Sequence, residues 1–129
     1  MGKINSRKKG AEWERELAKI LREHGYESRR GQQFCGSNGD ADVVGLPGIH
    51  IECKRVERLD LNAAMKQAMG DAKDYDRPCV FHRKNRDFWK VTMTLEDFLE
   101  MYRREQEYLR MMWEAEHEIH RKEKGTDHD

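Results

Sequence analysis

Hydrophobic positions recur along the chain with two different periods, and each change of period marks a change of element. Trp13, Leu17, Ile20, Leu21 and His24 fall at helical spacing, and Gly25 follows as a residue suited to end a helix, so a first helix is predicted over about residues 7–24. "YESRR" alternates weakly and predicts a first strand; "GQQFCGSNGD" then reads as a loop from its glycines and asparagine. "ADVVG" is short, branched and bounded by glycine, and "LPG" reads as a turn. "IHIECKR" alternates with period two, which sends Ile49, Ile51 and Cys53 to one face and His50, Glu52 and Lys54 to the other. Asp60 is placed to cap a helix with the stripe Leu61, Met65, Ala68, Met69 and Ala72. "CVFHR" and "FWKVTM" are two further strands around the turn-forming "KNRD". From Thr94, Leu95, Phe98, Leu99, Tyr102, Leu109, Met112 and Trp113 mark a long helix, interrupted by Glu105 and Gln106.

This order predicts an α/β fold, a mixed β-sheet flanked by α-helices with a long C-terminal helix. The 129 residues suffice for one domain with one core, expected over residues 1–118, with a charged tail over 119–129 that frays or extends into solvent. Hydrophobic residues make up 36% and charged residues 39%, yet the apolar residues cluster periodically, which argues against a disordered chain. No apolar run approaches the ~20 residues of a membrane span, and the basic start "MGKINSRKKG" leads into an amphipathic segment rather than a signal-peptide core. Three cysteines, Cys35, Cys53 and Cys79, are too few for a disulfide framework, so a reducing, cytoplasmic setting is expected.

The net charge of zero conceals an asymmetry. Residues 1–94 carry 19 Lys and Arg against 14 Asp and Glu, whereas residues 95–129 carry 6 against 11. The first part is therefore suited to a polyanionic partner such as nucleic acid, although the excess is modest.

The chemistry concentrates in "GDADVVGLPGIHIECKR". Alternation places Glu52 and Lys54 on one strand face, and Asp42 sits on the neighbouring strand across the hairpin. Two carboxylates of this kind suffice for a hard cation such as Mg²⁺, which takes oxygen ligands and leaves positions for water and phosphate; the Cys53 carbonyl offers a third oxygen. An adjacent lysine suits phosphodiester hydrolysis. An isolated E-x-K triplet, however, is a common exposed ion pair on any sheet. His50, Cys53, Cys79 and His82 form two spaced pairs that invite a zinc reading, but residues three apart on a strand point to opposite faces, and the cysteines are more simply small buried residues.

Context raises the significance of the triplet. The segments "KGAEWERELAKILREHGYESRR", "DADVVG" and "IHIECKR", in this order and followed by a helix bearing a glutamine, resemble the PD-(D/E)XK nuclease superfamily, most closely archaeal Holliday-junction resolvases and related phage-encoded nucleases. The resemblance implies a restriction-endonuclease-like fold and a Mg²⁺-dependent endonuclease, with Mn²⁺ able to substitute. It assigns metal binding to Asp42 and Glu52 with Glu14 assisting, catalysis to these and Lys54, and phosphate contacts to Arg15 and Arg30. Ala41 stands where the motif has proline, and Asp40 offers a second carboxylate; Asp42 is preferred because it opens the branched strand. Ser37 with Gln32 and Gln33 in the loop, Gln67 on the second helix, and Lys84, Arg86 and Lys90 near the last turn are further candidates for DNA contact. The far half of the long helix suits pairing with a second copy, and a homodimer would match a four-way junction in DNA recombination and repair. Two rivals stand beside this reading: the same nuclease core acting on linear or single-stranded DNA in phage DNA processing or restriction, and a non-catalytic DNA-binding or assembly module. The compartment implied is a bacterial or archaeal cytoplasm, or that of the host for a phage protein.

Overall fold

A computed structural model of the chain describes residues 6–32 and 41–126. Its elements are α1 (Ser6–Glu23), β1 (Arg29–Arg30), β2 (Val43–Val44), β3 (Ile49–Arg55), α2 (Leu61–Asp71), β4 (Arg77–Arg83), β5 (Lys90–Thr92) and α3 (Leu95–Thr126). The chain forms two compact units, residues 1–94 and 95–129.

In the first unit the five strands form one mixed sheet in the order β1-β2-β3-β4-β5. β3 and β4 run parallel with Ile51 beside Cys79 and Glu52 beside Val80, and the other pairings are antiparallel. Parallel neighbours need a crossover, and α2 supplies it. The two helices cover opposite faces. Leu17 and Ala18 of α1 pack with Val43, Ile51, Cys79 and Phe81, while Ala64 and Ala68 of α2 pack with Val80. The central strands are accordingly buried on both sides, as a covered sheet requires.

Local chemistry explains the element boundaries. Gly25 ends α1 with φ +96°, as expected, and the Tyr26 N–H reaches back to the Leu21 carbonyl at 3.1 Å. Asp60 caps α2 by accepting the Ala63 N–H at 3.0 Å. The turn at "LPG" closes with the Ile49 N–H on the Leu46 carbonyl at 3.1 Å.

Four expectations need correction. The strand expected in "YESRR" shrinks to Arg29–Arg30, because the buried Ser28 bonds through its hydroxyl to the Val44 carbonyl at 2.7 Å. The stripe of α2 runs through Ala64 and Ala68, leaving Met69 53% exposed, and His24 lies exposed beyond the end of α1. The face of β3 that carries His50 and Glu52 is buried, not solvent-facing, since α2 lies over it. Beyond these, α3 continues past Glu118 to Thr126 with residues 119–125 exposed, the second of the two outcomes expected for the tail; pairs such as Lys122–Glu118 at 3.8 Å lie one turn apart along this part of the helix.

The β2–β3 hairpin is pinned by a close approach. Gly45 has φ +117°, and a Cβ there would lie 2.4 Å from the Glu27 carbonyl oxygen and 2.5 Å from the Ser28 Cα. Both atoms are backbone, so nothing can yield cheaply. Gly45→Ala is expected to destabilise the first unit by about 2–4 kcal/mol, through strain and overlap together. Urea unfolding of the two proteins checks this, and equal midpoints would show that the hairpin relaxes.

Candidate active site

The site is assembled from α1, β1 and the hairpin. β2 and β3 pair at Val43 and Ile51, which brings Asp42 alongside the following residues of β3. The Asp42 Oδ2 accepts the Cys53 N–H at 2.8 Å, and the Asp42 N–H donates to the Ile51 carbonyl at 3.1 Å. The side chain of Asp42 therefore stands in for backbone where the β2 ladder ends, which fixes its carboxylate against β3.

Glu52 and Lys54 share a face of β3, as the alternation predicts. Glu52 is only 3% exposed, and Lys54 Nζ lies 3.9 Å from its Oε2. Its other oxygen, Oε1, faces His50 Nε2 at 3.6 Å. That imidazole is buried, and Nε2 makes no hydrogen bond among the described residues. Glu52 thus stands between a lysine and a histidine, one near each oxygen. The alternation put His50 on the Glu52 face, but its burial beside the carboxylate depends on α2 and was not readable from spacing.

Glu14 comes from α1 and is buried at 7% exposure, with Arg30 Nε from β1 at 3.2 Å. Burial pushes its carboxyl above the ordinary range, while Arg30 partly offsets this. The same effect is larger at Asp42. Burial, then the charge of Glu52, and then that of Glu14 outweigh the Cys53 N–H and Lys54, and hold its pKa up at about 6. Burial likewise pushes the Cys53 thiol up, with Asp42 adding to it, so this cysteine stays protonated and inert.

The remaining candidates lie further out. Arg15 is exposed on α1, close enough that its charge acts on Glu14. Gln67 is exposed on α2, flanking the buried Ala64 and Ala68. Ser37, Gln33, Asp40 and Cys35 lie outside the described residues. Around the last turn, Lys90 is paired with Asp87 at 2.8 Å, while Lys84 and Arg86 are exposed.

Glu16 carries a role that the sequence did not single out. It pairs with Arg83 at 2.9 Å and Arg55 at 3.5 Å, tying α1 to the ends of β3 and β4. Arg55 also lies over the Trp13 ring at 5.9 Å, and Arg83 over Trp89 at 5.9 Å. In "ERE" the first glutamate thus faces the carboxylate group and the second anchors the helix.

The donor set fits a hard divalent cation in its chemistry: carboxylate oxygens, partly buried, whose mutual repulsion is incompletely offset. It is not closed around one, since among the described residues no three His, Cys, Asp or Glu side chains converge to ligating distance. A cavity of about 710 Å³ lies elsewhere, between the hairpin turn and the end of α2, with Tyr26, Val44, His50 and Tyr75 in its wall. Glu14, Asp42 and Glu52 lie outside its lining.

A family model described as "Phage putative PDDEXK endonuclease" matches residues 5–128. The chain belongs to this family of phage PD-(D/E)XK endonucleases. The match spans both units and bears out the resemblance carried by "DADVVG" and "IHIECKR", and the mixed sheet with flanking helices agrees with a restriction-endonuclease-like fold. No curated protein matches the chain. No helix among the described residues is long and apolar enough to cross a membrane.

The raised pKa of Asp42 makes stability depend on pH. Its ordinary value is 3.8, so below that pH both folded and unfolded chains hold the proton and the group is neutral in the balance. Between pH 3.8 and about 6 the folded chain binds the proton more tightly, and above 6 its ionisation opposes folding by on the order of 3 kcal/mol. Asp42→Asn retains an oxygen for the Cys53 N–H and removes the charge. It is expected to melt higher than the parent at pH 7.5 in chelator, with the difference vanishing near pH 4. A constant difference across that range would refute the assignment.

Proposed function

We propose that this nuclease is a divalent-cation-dependent endonuclease that cuts branched DNA, such as a four-way junction, and does so as a homodimer. The observation that carries the reading is the convergence, on one hairpin, of Asp42, Glu52 and Lys54, with Glu14 and Arg30 brought in from α1 and β1.

In this reading Asp42 and Glu52 hold Mg²⁺ or Mn²⁺, with Glu14 assisting and the Cys53 carbonyl contributing a further oxygen. A cation held there would make a water more acidic and would neutralise charge on the phosphate. Lys54, kept near Glu52 by charge, orients the nucleophile and donates toward the phosphoryl oxygens as negative charge accumulates there. Arg30 has N–H groups beyond the Nε that meets Glu14, and its planar fork suits the phosphate; exposed Arg15 lies on the same helix as Glu14. Gln67 and Ser37 contact the DNA backbone without reading sequence. The excess of basic residues over positions 1–94 supports a DNA partner.

The branched substrate is favoured by resemblance of the first 55 residues to junction resolvases and by the apolar stripe of α3, which is suited to a second copy. Two sites related by a two-fold axis can cut two strands of a junction symmetrically. The corresponding task for a phage enzyme lies in recombination or repair of DNA within the host cytoplasm.

Cleavage of a labelled four-way junction, a fork, a flap, linear duplex and single strand, each with Mg²⁺ and with chelator, tests the reading. Junction cleavage that chelator abolishes is expected, and equal cutting of linear duplex would move the substrate to general DNA processing or restriction. Glu52→Gln and Lys54→Met are each expected to lower junction cleavage by ~100-fold or more while leaving junction binding within a few fold. Metal binding by calorimetry without turnover on any substrate would make the protein a DNA-binding module.

A further inference from the structure

α3 is the second compact unit, and its surface is sorted with unusual regularity. Counting from Leu95 in sevens, the first positions are Leu95, Tyr102, Leu109 and Glu116, and the fourth are Phe98, Glu105, Met112 and Ile119. The fifth positions, beside this seam, include Leu99 and Trp113, and the seventh include Met101 and Tyr108. The remaining three positions of each heptad are charged almost throughout: Glu96, Asp97, Glu100, Arg103, Arg104, Glu107, Arg110 and Glu114. A strict seven-residue repeat with an apolar seam is the pattern of a helix that winds against another helix. The seam is bare along its length, with Leu95 70% and Trp113 57% exposed.

The polar breaks in the seam decide how two copies pair. Glu105 and Glu116 both occupy seam positions. Two parallel helices in register would set Glu105 against Glu105 and Glu116 against Glu116, two layers of like charges in a partly desolvated interface. Antiparallel helices match first positions with fourth positions instead. Leu95 then meets Ile119, Phe98 meets Glu116, Tyr102 meets Met112, and Glu105 meets Leu109. No carboxylate faces its own copy, and Glu116 and Glu105, at the helix surface, can turn their heads to water while their stems cover the apolar partner. The same register brings Gln106 to within about 3 Å along the axis of its own copy, close enough for the two amides to bond at the two-fold axis and fix the register. Shifting either way by one heptad shortens the overlap and leaves apolar ends uncovered.

We propose that α3 is the dimerisation element, and that two copies of this chain pair through it as an antiparallel two-helix coil centred between Gln106 and Tyr108. The proposal rests on the homodimer of the functional reading above and on the same stripe of α3; the cation and the cleavage chemistry are independent of it. Thr94, where each catalytic unit joins its helix, then lies at opposite ends of the pair.

The intact chain is tested by light scattering and by distances between paired spin labels. Labels are introduced through a ketone-bearing amino acid at Glu96 or Glu107, so that the three native cysteines are left alone. The expected mass is twice the 15.4 kDa of the chain. Labels at Glu107 lie level along the axis in either orientation, on the outer faces of the pair, whereas labels at Glu96 are offset by about 33 Å along the axis only in the antiparallel pair. A distance at Glu96 no longer than that at Glu107 would overturn the orientation while leaving a dimer. A monomer mass at tens of micromolar would overturn the proposal without touching the nuclease assignment, which cleavage assays read separately. Leu109→Glu, set against Glu105 of the second copy, is expected to yield the monomer with the circular dichroism of the sheet unit retained, and a Leu109→Glu dimer would place the interface elsewhere.

Discussion

The arrangement depends on one electrostatic constraint: Glu14, Asp42 and Glu52 are held near one another with too little positive charge to balance them. Burial strengthens each repulsion, and Asp42 carries the consequence as a pKa held up at about 6. A fold accepts such a cluster only if rigid elements leave the carboxylates no exit. Here the Cys53 N–H ties Asp42 to β3, the sheet buries Glu52 beneath α2, and Arg30 meets Glu14. The unfavourable charge is therefore a property of the resting protein and a natural source of affinity for a cation.

Rigidity in turn comes from contacts far from the carboxylates. Gly45 lets the hairpin press against the Glu27–Ser28 backbone, and Ser28 secures that approach with its bond to Val44. At the other end of the sheet Glu16 grips Arg55 and Arg83, which fixes the rotation of α1 and hence the direction of Glu14 one half-turn away. A shift of α1 by a single residue would set Trp13 or Arg15 in the place of Glu14 and dissolve both arrangements. The short "ERE" is thus one mechanical unit with two functions.

Most of this was legible in the sequence where periodicity and local chemistry agreed. The strand "IHIECKR", the cap at Asp60, the stop at Gly25 and the turn before Ile49 all follow from residue-level rules, and the structure reproduces them. What was not legible came from tertiary cover. Alternation assigned His50 and Glu52 to the polar face of β3, and only the placement of α2 turns that face inward and leaves His50 Nε2 without a hydrogen bond. The truncation of β1 has the same character, because a side-chain bond from Ser28 replaced a ladder that the pattern allowed. Glu16 escaped notice because its partners lie 39 and 67 residues away in sequence.

The separation of charge along the chain adds a last step. Residues 95–129 carry a net −5 and residues 1–94 a net +5. A DNA backbone attracts the second and repels the first, and at physiological salt that discrimination operates within about 8 Å of the surface. A long acidic helix is therefore a poor groove or backbone reader, and its regular apolar seam has no use for a polyanion. The proposed division of labour agrees with these signs: the basic unit, which holds the carboxylates, is the part suited to nucleic acid, and the acidic helix is the part suited to a second copy. Neutral overall charge, which on composition alone says nothing about DNA, is the sum of two segments of opposite sign.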